Sequence, residues 1–344
     1  MPNLMQKVKT FFSKQQYNLP ELITRLVILG LLYSHVIGYQ QWFRADTILS
    51  LISLPIIVYK LSFIVFIGLC SYVFLKPEKT RLLITGMIVC GLLNIYLITP
   101  FWINYLLILI FIRIDSTLRF VVLLLGIQEV WAGLNKLSIN YINTINFFTN
   151  SFLGKNIYET VWLLVLLIPL LEILAGCGIL FHKKFSNYLL ILIHGGAIIT
   201  LVGFLHYNPT VWLWNLLIIV IAILLYKNQI KISVLFVKKN IILITFLTLL
   251  PLLQTVTTLL YPLSYRLYTG QEVNLVIDNT QYIYNYYQTT NAIPLLSKET
   301  FQLDLLKKCS IGVFKNAEIS VPKYLFRKEK KVNFTCENNT LIQK

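Results

Sequence analysis

The chain has 344 residues, 57% of them hydrophobic and only 13% charged, with a mean hydropathy of +0.71. A soluble globular domain carries about 25% charged residues, so this chain has too little charge to coat a soluble surface, and much of it is expected to face lipid. The net charge of +16 does not point to nucleic acid, because the basic residues gather in short segments between apolar runs, the footprint of cytoplasmic loops.

In chain order, residues 1–21 read as a cytoplasmic N-terminal segment. Lys7, Lys9 and Lys14 precede an apolar run that continues to Ile37 without a small-residue cleavage site, so the first span is expected to be a retained anchor. Residues 22–261 read as a transmembrane helical domain. About nine spans are predicted, at 22–40, 56–75, 82–99, 101–114, 117–137, 158–181, 187–206, 210–226 and 240–261. Helices of about 20 residues cross the hydrocarbon. Runs such as Ile241 to Leu253 are apolar on every face rather than alternating, which favours helices over a barrel. The linker from Arg113 to Arg119 is short enough for a tight helical hairpin.

Every second loop is basic. Lys76, Lys79 and Arg81 follow span two, Arg113 and Arg119 follow span four, Lys183 and Lys184 follow span six, and Lys227, Lys231, Lys238 and Lys239 follow span eight. The intervening loops at Thr99-Pro100 and Tyr207-Asn208-Pro209 carry no charge. Lysine and arginine are retained on the cytoplasmic side, so the N-terminus is expected inside and the C-terminus outside, in a multi-pass cell-membrane protein. Trp42, Trp102, Trp212 and Trp214 fall near predicted outer ends, at headgroup level.

From Tyr261 onward polar residues dominate, and residues 262–344 read as a small extracytoplasmic domain with short β-strands at Glu272–Ile277 and Ser310–Phe314. The fold class expected is therefore an all-α polytopic membrane bundle with a small β-rich C-terminal domain. Cys309 and Cys336 either form a disulfide in an oxidising exterior or remain two separate thiols. Cys70, Cys90 and Cys177 lie within spans and read as packing residues. Asn333-Phe334-Thr335 and Asn338-Asn339-Thr340 match the glycosylation sequon.

An ionisable side chain at mid-membrane costs about 2.5–3.5 kcal/mol on insertion scales, so each one asks for a partner or a function. Glu129, Lys136, Glu172 and His194 stand out. Glu129 and Lys136 are seven residues apart and share a helix face, with Gly133 between them on that face, where another helix or a ligand could approach closely. A lysine in an apolar pocket loses solvation of its charged form and becomes a base near neutral pH; otherwise Lys136 snorkels outward, paired to Glu129. Glu172 precedes Ala175-Gly176-Cys177-Gly178, and His194 precedes Gly195-Gly196. His35 and His206 lie near outer ends and would share an outer cavity with Lys136. No metal-ligand spacing, phosphate-cradling loop or nucleophile triad is present in the pattern.

The segment Trp131-Ala132-Gly133-Leu134-Asn135-Lys136-Leu137 resembles a motif of the vitamin K-dependent gamma-carboxylase-like family, also called the horizontally transferred transmembrane (HTTM) domain. Leu170–Phe181, with its acid before a glycine-containing run, resembles the following helix of that family, and His194 falls where the next helix has a histidine. Trp212-Leu213-Trp214-Asn215-Leu216 is similar to a segment of bacterial members, and Pro262–Gly270 to their exit into an extracytoplasmic region. The resemblance covers most of residues 20–270 and implies that Lys136 is a base acting with a quinol or vitamin K-like lipid, supported by Glu129, Glu172 and His194. The family's carboxylases have a histidine in the region matched by Asn104-Tyr105, and this chain does not; the large domain that binds propeptides also has no counterpart in the residues after the last span. A bacterial subgroup similar to sporulation-delaying protein B, which matures a secreted peptide, fits the layout better. The resemblance thus implies membrane lipids and a secreted peptide or another membrane protein as partners. A related pattern occurs in DoxX/MauE-like redox-associated membrane proteins, and a non-enzymatic binding, immunity or transport component is the further alternative.

Overall fold

The structure, a computed structural model, describes residues 18–42, 55–94, 97, 99–137, 141, 155–200, 202, 209, 212–232, 240–249, 274–278, 280–281, 302, 305–306, 308–310, 312, 314–321 and 330–343. It is mostly helical, with a small antiparallel sheet near the C-terminus. Nine α-helices occur among the described residues: α1 (Leu19–Ile37), α2 (Ile56–Leu75), α3 (Thr80–Leu93), α4 (Pro100–Ile114), α5 (Arg119–Lys136), α6 (Lys155–Leu180), α7 (Phe185–Ile198), α8 (Trp212–Lys227) and α9 (Ile241–Leu249). Each falls on one of the nine predicted apolar runs. Two of them, α1 and α2, are long and apolar enough to cross a membrane; several others are apolar but shorter. Lys7, Lys9, Lys14, His206, Lys238, Lys239 and the 262–270 segment lie outside the described residues.

Local chemistry explains the helix boundaries. Pro100 occupies the first turn of α4, where its missing N–H is no loss, and the Thr99 hydroxyl accepts from the Trp102 N–H at 3.2 Å. The predicted hairpin between α4 and α5 is a turn in which Asp115 accepts from the Thr117 N–H at 3.0 Å. Leu118 then enters α5 in the left-handed region at φ 64°. On α1, Arg25 Nε donates to the Phe74 carbonyl at the end of α2 (3.2 Å), placing a cation where free carbonyls accumulate.

The centre of the bundle is α5, whose residues from Phe120 to Glu129 are all buried. Its most extensive neighbour is α6, and the contact is backbone to backbone. A methyl group added at Gly133 would strike the Pro169 carbonyl oxygen and lie 3.0 Å from the Ile173 nitrogen; one at Gly176 would lie 2.6 Å from the Gly126 carbonyl oxygen and 2.7 Å from the Val130 nitrogen. Only residues without a side chain allow two helices this close.

Many outward faces are as apolar as the buried ones. On α2, Ile57, Leu61, Ile64, Val65 and Leu75 are more than half exposed, and on α7 Leu192 is exposed as well. The tryptophans behave differently from the expected headgroup anchors. Trp42, Trp102 and Trp214 are buried, at 1%, 2% and 4% exposure. Trp42 and Trp102 meet the His35 ring edge-on together with Phe66, because aromatic edges and faces attract.

The C-terminal sheet has the order β2-β1-β3-β4-β5, all antiparallel, with β1 Asn274–Ile277, β2 Thr280–Gln281, β3 Asn316–Val321, β4 Lys330–Glu337 and β5 Thr340–Gln343. Inward Ile319 pairs with Val332 and Ala317 with Phe334, joining Leu275, Leu305 and Phe314 in a separate small core. The strand expected at 272–277 is present from Asn274. The strand expected at Ser310–Phe314 is not: Lys308–Ser310 are helical, and Gly312 turns the chain at φ 68°, its N–H donating to the Cys309 carbonyl at 2.9 Å. Glycine adopts this conformation at no steric cost, so the run ends in a turn. The sequon residue Asn338 instead joins Asn339 in a two-residue hairpin turn, at φ 48° and 61°, the geometry that matches strand twist. Cys309 and Cys336 are disulfide-bonded, with Cα atoms 5.4 Å apart, which resolves the alternative left by spacing.

Close packing of α5 on α6 predicts a sharp contrast between glycines. Gly176→Val should cost about 1–3 kcal/mol through overpacking against backbone. Gly68→Ala, on α2 with nothing within 4 Å, should be neutral or stabilising by up to about 1 kcal/mol from helix propensity. Unfolding midpoints of the detergent-solubilised proteins would measure both, and equal effects would refute the contact.

Candidate functional site

Helix α5 presents Glu129, Gly133 and Lys136 at spacings of four and three, hence on one face, with about 10 Å of helix axis between the two charges. Gly133 is where α6 crosses. The crossing brings the Lys136 ammonium onto Glu172 Oε1 in a direct ion pair. The Lys136 side chain retains 14% of its surface exposed, and the Glu172 side chain 6%. Three residues before Glu172, Pro169 lies inside α6, where it has no N–H to give the carbonyl four residues earlier. Beyond Glu172, buried Ala175 and Gly176 keep α6 against α5.

Two turns deeper on α5, Glu129 is 2% exposed. Its Oε1 lies 3.3 Å from His194 Nε2 on α7, and His194 Nδ1 lies 2.8 Å from Asn215 Oδ1 on α8. Both partners are acceptor oxygens, so in this arrangement both ring nitrogens donate and the imidazole is cationic. A half-turn of the Asn215 amide would present its NH₂ to Nδ1 and leave a neutral ring. With its oxygen toward the ring, Asn215 favours the cationic imidazole.

The two pairs form one electrostatic group, because Glu129 and His194 lie close enough to act on the Glu172 charge. Glu129 Oε2 and Glu172 Oε2 are buried and have no hydrogen-bond partner among the described residues, so each acid keeps unused acceptor capacity. Tyr141, just beyond α5, is buried, and burial together with the Glu172 charge raises its phenol above the ordinary value. It remains a neutral hydroxyl beside the ion pair.

All four residues singled out from the sequence, Glu129, Lys136, Glu172 and His194, come together. Their pairing differs from the snorkelling alternative: Lys136 binds Glu172, not Glu129, because α6 fills the space opposite Gly133 and delivers its own carboxylate there. His35 does not join them. Its Nδ1 accepts from the Trp42 indole N–H at 3.2 Å inside the separate aromatic cluster. Sequence reasoning overlooked Asn215 and Tyr141. An amide in the otherwise apolar α8 was the available signal for Asn215; nothing local distinguishes Tyr141 from the many other tyrosines.

Two cavities lie against α5, and none of the four charged residues lines either of them. One is small, against Val122 and Tyr226; the other, about 550 Å³, lies between α5, the end of α6 and α9.

The pairing makes a testable statement about coupling. Lys136→Met should leave Glu172 buried without its cation, a loss of about 3–5 kcal/mol. Adding Glu172→Leu should recover most of it, whereas adding Glu129→Gln should not. Unfolding midpoints across this double-mutant cycle would check it, and strictly additive losses for Lys136 and Glu172 would refute the pair.

No protein-family model, curated protein or solved structure matches this chain.

Proposed function

We infer that this chain is a multi-pass membrane protein in which Lys136, at the outward end of α5, serves as a base toward a secreted peptide. The resemblance to the HTTM/gamma-carboxylase-like family implies a base at Lys136, and the layout shared with the subgroup similar to sporulation-delaying protein B suggests a secreted peptide as its target. Lipid placement is supported by helices whose exposed faces are apolar, notably α2 and α7. The inside-out orientation is supported by basic residues in alternate loops and by a disulfide in the C-terminal sheet, since disulfides persist in oxidising compartments.

The observation that carries the reading is the graded exposure of the charged group. Glu129 and Glu172 have side chains 3% and 6% exposed, while the cationic partners His194 and Lys136 retain 11% and 14%, Lys136 the most of the four. Transfer of one proton from Lys136 to Glu172 converts the ion pair into a neutral amine and a carboxylic acid. The amine then accepts a proton from the peptide, which is left as its conjugate base, and one of the two protons held by the pair leaves to solvent. His194 and Glu129 lower the cost of the intermediate charges. The resemblance also implies a quinol-type lipid, which these proton transfers do not require.

A second reading, a non-enzymatic membrane component, draws on the direct engagement of Lys136 by Glu172: the two pairs would then only fasten α5, α6, α7 and α8. Arginine separates the two. Lys136→Arg retains a cation for Glu172 but cannot lose its proton at working pH. Under the base reading, the modified peptide disappears from the culture medium by mass spectrometry with Lys136→Arg as with Lys136→Ala. Full retention with arginine would overturn it in favour of a structural pair.

Topology has its own test. Protein taken from membranes and denatured without reductant should react with three maleimides, at Cys70, Cys90 and Cys177, and with five after reduction. Five without reduction would remove the support that the disulfide lends to an exported tail.

A further inference from the structure

The larger cavity is an elongated groove. Leu123, Ile127, Val130 and Trp131 form its floor, so it follows α5 for about 12 Å. Leu180 at the end of α6, Phe181 just beyond it, Ile232, and Ile244 and Thr248 of α9 form its walls. The Trp131 indole N–H donates to the Thr248 carbonyl at 2.9 Å, tying α9 to α5 at one end. The polar side chains at the other end are His182 and Lys231.

That end carries clustered positive charge. The His182 ring stacks on Tyr226 at 4.6 Å and donates to Gln229 Oε1 at 3.1 Å, joining the turn after α6 to the end of α8. Lys183, Lys184, Lys227 and Lys231 flank this contact and are exposed. The sequence contains no aspartate or glutamate between Glu172 and Glu272 to neutralise them. An apolar slot with lysines at one mouth is complementary to an amphiphile with an anionic head and a hydrocarbon chain. By charge distribution that mouth faces the cytoplasmic leaflet, where acidic phospholipids present their headgroups.

We propose that the groove between α5, α6 and α9 binds an acidic phospholipid of the cytoplasmic leaflet, its phosphate at Lys231 and His182 and one acyl chain along Leu123, Ile127 and Val130. The site is separate from the Lys136 pair and rests on the membrane placement of the chain, not on the chemistry at Lys136. The occupied chain ends beside Trp131, which makes that indole a reporter.

The test uses the full chain in liposomes containing phosphatidylglycerol or phosphatidylcholine brominated on the acyl chains. Emission lost on Trp131→Phe substitution isolates the signal of that residue. Trp131 should be quenched with about fivefold preference for phosphatidylglycerol, the selectivity that one lysine near an anionic headgroup supplies. Lys231→Glu should abolish the preference, and Ile127→Phe, which fills the slot, should abolish the quenching. Equal quenching by both lipids overturns the proposal, as does a preference that survives both substitutions, which would mark general boundary lipid. If Trp131 escapes quenching while the other tryptophans do not, another part of the chain covers the groove and the proposal fails. If no tryptophan is quenched, the membrane reading itself fails.

Discussion

Backbone meets backbone where α5 crosses α6, and the reach of Lys136 is set by that crossing. At Gly133 and Gly176 the space that a methyl group would need is occupied by the main chain of the opposite helix. A buried ion pair offsets the desolvation of its two charges only when they are in direct contact. A separation wider by one methyl group would leave both charges desolvated and too far apart to compensate each other. The glycines therefore determine the electrostatics as well as the packing. Pro169, whose carbonyl faces Gly133, belongs to the same device, since it interrupts α6 one turn before the acid that the crossing must deliver.

The charges close on themselves. Glu129 and Glu172 are balanced by His194 and Lys136, so an apolar bundle holds four ionisable groups at no net charge when the imidazole is cationic. Balance of this kind is the condition under which charges persist among apolar helices. Each buried acid also has an oxygen with no hydrogen-bond partner among the described residues.

The two ends of α5 face different chemistry. One end carries Lys136 within the paired group; the other forms the floor of an apolar groove bordered by lysines that have no acidic neighbours in sequence. The contrast follows from charge placement. The sequence has no acid between Glu172 and Glu272, so the lysines that border the groove lie in a stretch of chain whose formal charges are all positive.

Composition and apolar run length were enough to locate the helices, because a stretch that is apolar on all faces has few alternatives to a helix whose backbone bonds are satisfied internally. The cost of burying charge was enough to single out Glu129, Lys136, Glu172 and His194. Spacing along α5 placed two of them on one face, but it could not say which partner each would take: that depended on the crossing point and rotation of α6 and α7, which are properties of packing between segments distant in sequence. For the same reason Asn215 emerged only from the tertiary structure, as did the burial of Trp42 and Trp102 around His35. In the tail, the alternation of Asn316–Val321 and Lys330–Glu337 was legible in principle, yet the turn at Gly312 overrode the apolar run beside it. The sequence by itself determined which residues could not remain alone in an apolar setting; the tertiary structure decided their partners, because a contact between helices is fixed by three-dimensional fit and not by position along the chain.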